Sequence, residues 1–210
     1  TFPPGNTTDA SWYNYDMTGG LPFGSPTYRP KQWFQSRAFA VADTLLPDGV
    51  TTNIVMASNS WFSTPSAADD WLITPSLVLG PHDTLFWRAA PRQTPRYLDG
   101  YEVLLATVGN DPSFFTNVLY TAAEMTGNPP ASDTNYAHFT FSTGFVHGLD
   151  GTYITPASTG TTMSHMGKLR KFSVPLNAYA GQTVFLAFHH NSFDDNLISI
   201  DDILVRSLSS

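Results

Sequence analysis

The apolar residues of this 210-residue chain occur in short runs, and no long segment spaces them at the 3.6-residue period of an amphipathic helix. The runs are rich in β-branched and aromatic residues, as in QTVFLAFHH at 182–190. Gly and Pro, 15 and 16 in number, separate the runs with frequent turns. This pattern predicts an all-β fold.

The runs that we predict to be strands share high β propensity and turn residues at their ends. They are 32–41, 53–61, 69–79, 84–90, 100–109, 168–176, 182–190 and 196–205. Pro75 marks an edge or a break within 69–79, and 114–125 fits either a strand or a short helix. We expect one domain over residues 1–210, a jelly-roll β-sandwich of two antiparallel sheets.

The charged residues exclude some classes of protein. The formal net charge is −7, and lysine occurs only at positions 31, 168 and 171. A nucleic-acid-binding protein would carry a basic stripe, and the sequence has none. The sequence also has no apolar run of about 18 residues, so we expect no membrane-inserted helix. With no cysteine, the chain has neither disulfides nor thiolate metal sites.

Three motifs resemble a known family. They are Asp70–Pro75 (DWLITP), Ala178–Val184 (AYAGQTV) and Ile200–Ile203 (IDDI), which follow one another at suitable spacing with the strand GYEVLLATVG between the first two. Together they resemble the cleaved-adhesin or choice-of-anchor J domains, which occur in the haemagglutinin regions of gingipains. Residues 127–167 depart from the pattern, so we interpret them as an insertion. The resemblance implies a jelly-roll sandwich, a secreted or cell-surface location, bound calcium and an adhesive or carbohydrate-binding role.

The acidic residues fit calcium as well. Of the 17 acidic residues only Glu102 and Glu124 are glutamate. Asp201 and Asp202 interrupt an apolar strand, and the alternation of side chains along a strand puts them on opposite faces of the sheet. At least one carboxylate would therefore be desolvated and would need a cation or several hydrogen-bond donors. Calcium takes six to eight oxygen ligands and would neutralise such a carboxylate.

Two further positions complete the predicted calcium ligands. Asp195 lies in the turn before the last strand, and Asp16 lies near the first strand, which jelly rolls often bring beside the last. We therefore predict Ca²⁺ as the cofactor, with ligands drawn from Asp16, Asp195, Asp201 and Asp202. Turn capping by Asp195 and pairing of the aspartates with arginine remain alternatives.

Exposed aromatic residues point to ligand binding, because sugar rings and protein partners both favour Tyr and Trp surfaces. Trp71 and Trp87 lie in predicted strands, and we assign them to the core. The residues that we expect at a ligand surface lie in predicted loops. They are Trp61, Arg96, Tyr97, Tyr136 and Tyr153.

Signatures of catalysis are missing. The chain has no G-x-S-x-G nucleophile motif and no phosphate-binding glycine loop. His189 and His190 are neighbours in a strand and point apart, so we expect one to be packed and the other exposed. No catalytic residue is predicted, although a dispersed hydrolase site stays open.

The sequence therefore predicts a secreted, calcium-stabilised and non-catalytic module that binds a glycan or a host or surface protein. A self-associating subunit of a surface layer or filament is the first alternative. A hydrolase with an unrecognised site is the second.

Overall fold

The computed structural model of the chain describes residues 12–17, 32–36, 55–127, 129–133, 135–151, 153–154 and 165–208. Within these residues the regular structure is almost entirely strand, and no α-helix occurs. The strands are β1 Tyr13–Asp16, β2 Phe34–Ser36, β3 Val55–Asn59, β4 Asp70–Ile73, β5 Leu77–Val78, β6 Asp83–Pro91, β7 Tyr101–Ala106, β8 Asn117–Ala122, β9 Met125–Gly127, β10 Thr140–Phe141, β11 Tyr153–Ile154, β12 Met166–Gly167, β13 Arg170–Pro175, β14 Thr183–His190 and β15 Leu197–Ser207. Single 3₁₀ turns cover Pro112–Phe114, Tyr136–His138 and Asn177–Tyr179.

Two antiparallel sheets form the sandwich. The six-stranded sheet has the order β1-β4-β14-β7-β8, with β5 beside β14. The five-stranded sheet has the order β13-β6-β15-β3-β2. Two small ribbons, β9 with β10 and β11 with β12, lie outside them. The all-β class and the two-sheet sandwich predicted from the sequence are thus confirmed.

The strand boundaries follow the turn residues closely. The strand predicted over 69–79 ends at Ile73 and resumes at Leu77, so Pro75 marks a break. The ambiguous run 114–125 contains a strand, β8, and its first residue, Phe114, is the last residue of a 3₁₀ turn. Of the predicted runs 32–41 and 53–61, residues 37–41 and 53–54 lie outside the described residues.

The main core lies between the two sheets. Side chains of both sheets form it, with Trp87 of β6 from one sheet and Tyr101 of β7 and Phe188 of β14 from the other, all essentially inaccessible to solvent. Trp87 Nε1 donates a 2.7 Å hydrogen bond to the Tyr101 hydroxyl, so this large buried side chain has its polar atom satisfied.

A second apolar cluster covers the outer face of the six-stranded sheet. It contains Trp71, Leu104 and Phe115, and the rings of Trp71 and Phe115 lie 5.7 Å apart. Phe115 follows the 3₁₀ turn between β7 and β8, so this connection folds back over the sheet. Trp87 lies between the sheets as predicted, whereas Trp71 is buried on the outside of the sandwich.

A β-bulge in β15 accounts for the two adjacent aspartates of the last strand. Asp201 stands opposite Arg88, but the next aligned pair is Leu204 with Phe86, so β15 contains one extra residue there. Ile200 and Ile203 consequently both pack in the core. The expectation that Asp201 and Asp202 point to opposite faces is therefore wrong, because the bulge puts both on the side away from the core.

The Trp87–Tyr101 hydrogen bond provides a test of the core. We expect Tyr101→Phe to lower the free energy of unfolding by about 1–3 kcal/mol, because the buried indole N–H loses its acceptor. Urea unfolding measures the change, and the slope with urea concentration should stay unchanged. Tyr13→Phe, at an exposed position of β1, is the control. An equal effect of both substitutions would contradict the assigned role of the bond.

Candidate functional site

Four connections meet at one end of the sandwich, which we call the acidic end: residues 60–69, 92–100, 123–124 and 191–196. Hydrogen bonds join them. Ser60 N donates to Asn196 O at 3.1 Å, and Ala68 N donates to Ser192 O at 2.8 Å. Gly100 N donates to Ser192 Oγ at 2.7 Å. The connections therefore form one bonded surface rather than separate loops.

A chain of buried polar side chains runs beneath this end. Ser58 Oγ lies 2.6 Å from Asp70 Oδ2 and 2.7 Å from His190 Nδ1, and His190 Nε2 lies 3.1 Å from Asp99 Oδ1. All four residues are fully buried. Ser58 belongs to the five-stranded sheet, whereas Asp70 and His190 belong to the six-stranded sheet. The chain thus bonds the two sheets to each other through the interior.

Asp99 is the acceptor at the end of this chain. Its Oδ1 also accepts a 2.6 Å hydrogen bond from Ser60 Oγ, and its Oδ2 accepts one of 3.1 Å from Asn196 N. Both carboxylate oxygens of Asp99 therefore have hydrogen-bond donors. Asp99 therefore fastens the connections after β3 and before β15 to the segment that leads into β7.

Asp195 lies next to this carboxylate, but one of its oxygens has no hydrogen-bond donor. The residue is 4% exposed, and its Oδ2 has no hydrogen-bond partner. Burial and, to a smaller extent, the charges of Asp99, Glu124 and Asp194 together raise the pKa of Asp195 to about 10. Burial also raises the pKa of Glu124, whose Oε2 accepts from Phe193 N at 2.8 Å. This buried carboxyl needs either a proton or a cation.

A second buried acid, at the start of β4, has one carboxyl oxygen without a partner. Asp70 stands directly opposite Asp16 of β1, and like charges in that arrangement destabilise a sheet. Burial raises the pKa of Asp70 well above its usual value, and the charges of Asp16 and Asp69 add to the shift. Asp70 Oδ1 and Asn14 Oδ1 are buried without a hydrogen-bond partner. Two unpartnered acceptors therefore lie beside a facing pair of carboxyls.

The predicted calcium ligands fall into separate places. Asp16 and Asp195 lie in the two acidic environments just described. Asp201 is buried at the bulge of β15. Asp202 has a side chain that is 64% exposed and forms a 3.0 Å ion pair with Arg88 Nε. In the described part of the chain, no three His, Asp or Glu side chains form a group that could hold a metal ion. The four aspartates are thus not brought together as one set.

Of the predicted ligand contacts, Trp61 and Tyr97 lie at the acidic end. Trp61 is 37% exposed, and its carbonyl accepts a 2.8 Å hydrogen bond from Asn59 Nδ2. Tyr97 has a positive φ of 56°, and its main-chain N contacts Met125 Sδ at 3.4 Å. Phe193, which sequence reasoning did not single out, is 56% exposed at the same end.

The other predicted contacts belong to residues 127–167, the predicted insertion, and to the segment that holds them. Arg96 is buried, and its Nη2 donates to the carbonyls of Pro129 and Pro130. Tyr136 hydrogen-bonds with Thr94 through its hydroxyl. Arg96 and Tyr136 therefore hold the insertion against the segment before β7, and direct ligand contact by either stays a prediction. Tyr153 pairs with Gly167 in β11 and β12, and its side chain lies outside the described residues.

The structure agrees with the expected orientation of the two neighbouring histidines but not with the expected exposure of one of them. They do point apart, since His190 lies between the sheets and His189 lies on the outer face of the six-stranded sheet. Neither is exposed: His190 is fully buried, and the His189 side chain is 14% exposed. Trp71 covers the His189 ring and explains this burial.

Sequence reasoning missed Ser58, Asp99 and Glu124 as parts of the acidic end. They are separated from His190 and Asp195 by more than 60 residues of sequence, and no local motif connects them. One signal was available: Asp99 precedes the strong strand that begins at Tyr101, where a carboxylate can bind donors of neighbouring connections.

No described helix has the length and hydrophobicity needed to cross a membrane. No curated protein sequence matches the chain.

Two of the similar solved structures are cleaved adhesin domains of Lys-gingipain. The K1 cleaved adhesin domain of Lys-gingipain from Porphyromonas gingivalis W83 is 21% identical, with a TM-score of 0.57 over 96% of this chain and 93% of that domain. The K3 domain of the same protein is also 21% identical, with a TM-score of 0.54 over 95% and 92% of the two chains. At this level of identity the likeness establishes the fold.

The family is established from the sequence. The model of the Cleaved Adhesin Domain matches residues 35–144, more than half of the chain, and so includes the first part of the predicted insertion. The chain therefore belongs to the Cleaved Adhesin Domain family.

Proposed function

We propose that this chain is a secreted, calcium-stabilised adhesive module that recognises a glycan or a protein through its acidic end and carries out no catalysis. Membership of an adhesin family supports the adhesive role. The unpartnered, buried Oδ2 of Asp195 is the observation that carries the calcium part of the proposal.

Calcium fits the surroundings of Asp195 chemically. It is a hard cation that prefers carboxylate, amide and main-chain oxygens and tolerates irregular geometry. Asp195 and Glu124 would supply carboxylate oxygens. Asp99 would contribute mainly its charge, because donors already occupy both of its oxygens. With no three acidic side chains grouped for a metal in the described residues, the remaining ligands would be main-chain oxygens and water.

The facing pair of Asp16 and Asp70 fits a second calcium ion. The unpartnered Oδ1 atoms of Asp70 and Asn14 are both acceptors, and a cation between them would relieve the repulsion of the two carboxyls. Bound calcium would neutralise these acids and join β1 and the connections to the sandwich. Because it would bind only the folded chain, it would raise the free energy of unfolding.

The ligand surface that we favour is the exposed aromatic part of the acidic end. Trp61 and Phe193 follow β3 and β14, and the connections that carry them are hydrogen-bonded to each other. Aromatic faces held on a rigid surface suit both sugar rings and protein partners. Calcium beneath this surface would keep the two connections in place.

The non-catalytic role is favoured by the burial of the groups that resemble a hydrolase site. Ser58, His190 and Asp99 are connected in the order of a catalytic triad. All three are fully buried, and Ser58 also bonds to Asp70, so a substrate cannot reach the hydroxyl. We therefore assign these residues to structure. Turnover of any substrate that Ser58→Ala abolishes would contradict this assignment.

Calcium binding is tested by thermal unfolding. We expect calcium at 100 times its dissociation constant for the Asp195 site to stabilise the wild type by about 2.7 kcal/mol through that site, a rise in Tm of roughly 5–10 °C. Asp195→Asn should keep only the rise from the second ion proposed at Asp16 and Asp70 and lose this contribution. The control is Asp202→Asn, which removes an exposed, ion-paired carboxylate and should keep it. Loss of the rise in the control alone would place calcium at the last strand, and no rise in the wild type would reject the calcium proposal.

The pKa of Asp195 provides a separate test in chelator. The pKa is about 10 in the folded chain and about 3.9 in an unfolded one. The folded state then binds one proton more between these values, so the free energy of unfolding should fall as the pH rises, by up to about 1.4 kcal/mol per pH unit from this group. The difference between wild type and Asp195→Asn, measured by urea unfolding at several pH values, isolates the contribution. Parallel pH profiles would contradict it.

Ligand recognition is tested on a glycan array in calcium and in chelator, with extracellular-matrix and serum proteins spotted beside the glycans. We expect specific binding in calcium that Trp61→Ala lowers at least tenfold. Phe114→Ala is the matched control, because Phe114 is 43% exposed but lies between β7 and β8. Equal losses in both variants would reject the acidic end as the site. A blank array from folded protein that assembles on a sizing column would favour the surface-subunit alternative.

A further inference from the structure

A row of side chains crosses the outer face of the six-stranded sheet. In the register of the strands, Tyr15 of β1 stands opposite Trp71 of β4, and Trp71 stands opposite His189 of β14. His189 in turn stands opposite Glu102 of β7, and Glu102 opposite Thr121 of β8. The row therefore places one imidazole between an indole and a carboxylate.

The indole and the imidazole are stacked and share an acceptor. Their ring centres lie 3.8 Å apart with 14° between the planes. Asp69 Oδ1 accepts a 2.6 Å hydrogen bond from Trp71 Nε1 and lies 2.9 Å from His189 Nε2. Because a carboxylate only accepts, Nε2 carries the proton in the neutral imidazole. The stack and this shared carboxylate fix the orientation of the His189 ring.

The other ring nitrogen is left without a hydrogen bond. In this tautomer Nδ1 is an acceptor, and it is buried with no hydrogen-bond partner. The nearest charged atom is Glu102 Oε2 at 3.6 Å, which is also an acceptor. Two lone pairs therefore face each other across a gap slightly longer than a hydrogen bond, and a single proton on Nδ1 would turn this contact into an ion pair.

We propose that His189 is an acid-operated clamp: protonation of Nδ1 in acid solution draws Glu102 into a hydrogen bond and joins β4, β14 and β7 on the outer face through Asp69, His189 and Glu102. The charged and titratable groups that act on the ring are Asp69 before β4, Glu102 on β7, and His190, which is next in β14 but points to the other side of the sheet. Tyr15 and Thr121 lie farther along the row.

The pH window of the clamp follows from these groups. Burial lowers the pKa of His189 below its usual value of about 6.5, while Asp69 and Glu102 act against this shift and His190 adds to it. The ring is therefore neutral at pH 7 and takes up its proton in the acid range. Protonation also removes one net negative charge from this face.

The test is an NMR titration of the His189 imidazole in the intact chain. At pH 7 we expect the spectrum of a neutral ring with the proton on Nε2, and on acidification a proton on Nδ1 as well. In Glu102→Gln the pKa of His189 should fall by about one unit or more, because a carboxylate within about 4–6 Å favours the charged ring. Thr121→Val, which changes the same row without removing a charge, should leave the titration in place.

Several results would overturn the proposal. A proton on Nδ1 at neutral pH would mean that the tautomer is the opposite one. An unchanged pKa in Glu102→Gln, or an equal fall in Thr121→Val, would mean that the carboxylate does not act on the ring. The wild-type tautomer is read without any substitution, so the proposal stays testable even if the variants fold poorly. None of these results depends on calcium or on an adhesive ligand.

Discussion

The fully buried chain of Ser58, Asp70, His190 and Asp99 is the interaction on which the acidic end depends. It bonds the two sheets through the interior, where apolar side chains would only pack. Since each unpaired buried polar group costs about 1–3 kcal/mol, the four side chains have to be satisfied together. This constraint fixes where the connections after β3 and before β7 lie, and with them Trp61 and the carboxyl of Asp195.

The two carboxyls that have an unpartnered oxygen lie at the two ends of this chain. Asp70 is part of the chain, and Asp195 is close enough to Asp99 for the charge of one to shift the pKa of the other. Acids that repel one another in a dry interior are stable only with protons or cations between them. In our proposal, calcium supplies that charge at neutral pH, and the same polar framework positions the aromatic residues that meet the ligand.

Local sequence patterns predicted the strands and the break at Pro75, because alternation and turn residues act over a few positions. Alternation failed at Asp201 and Asp202, since a bulge is set by the partner strand β6 and leaves no mark in β15 itself. The acidic end was beyond prediction for a different reason. Asp99, Glu124 and Asp195 come together only through the strand order. Likewise, Arg96 looks like a surface residue in sequence but is buried beneath the insertion.

The attachment of the insertion has a consequence for its variability. Arg96 holds it through the main-chain carbonyls of Pro129 and Pro130, and Ala123 and Thr121 bond to the main chain of Phe145. Main-chain acceptors and donors are present whichever side chains the segment carries. Side chains of this segment that make no such contact can therefore change without loss of these main-chain anchors, so that a fixed scaffold can display interchangeable surfaces.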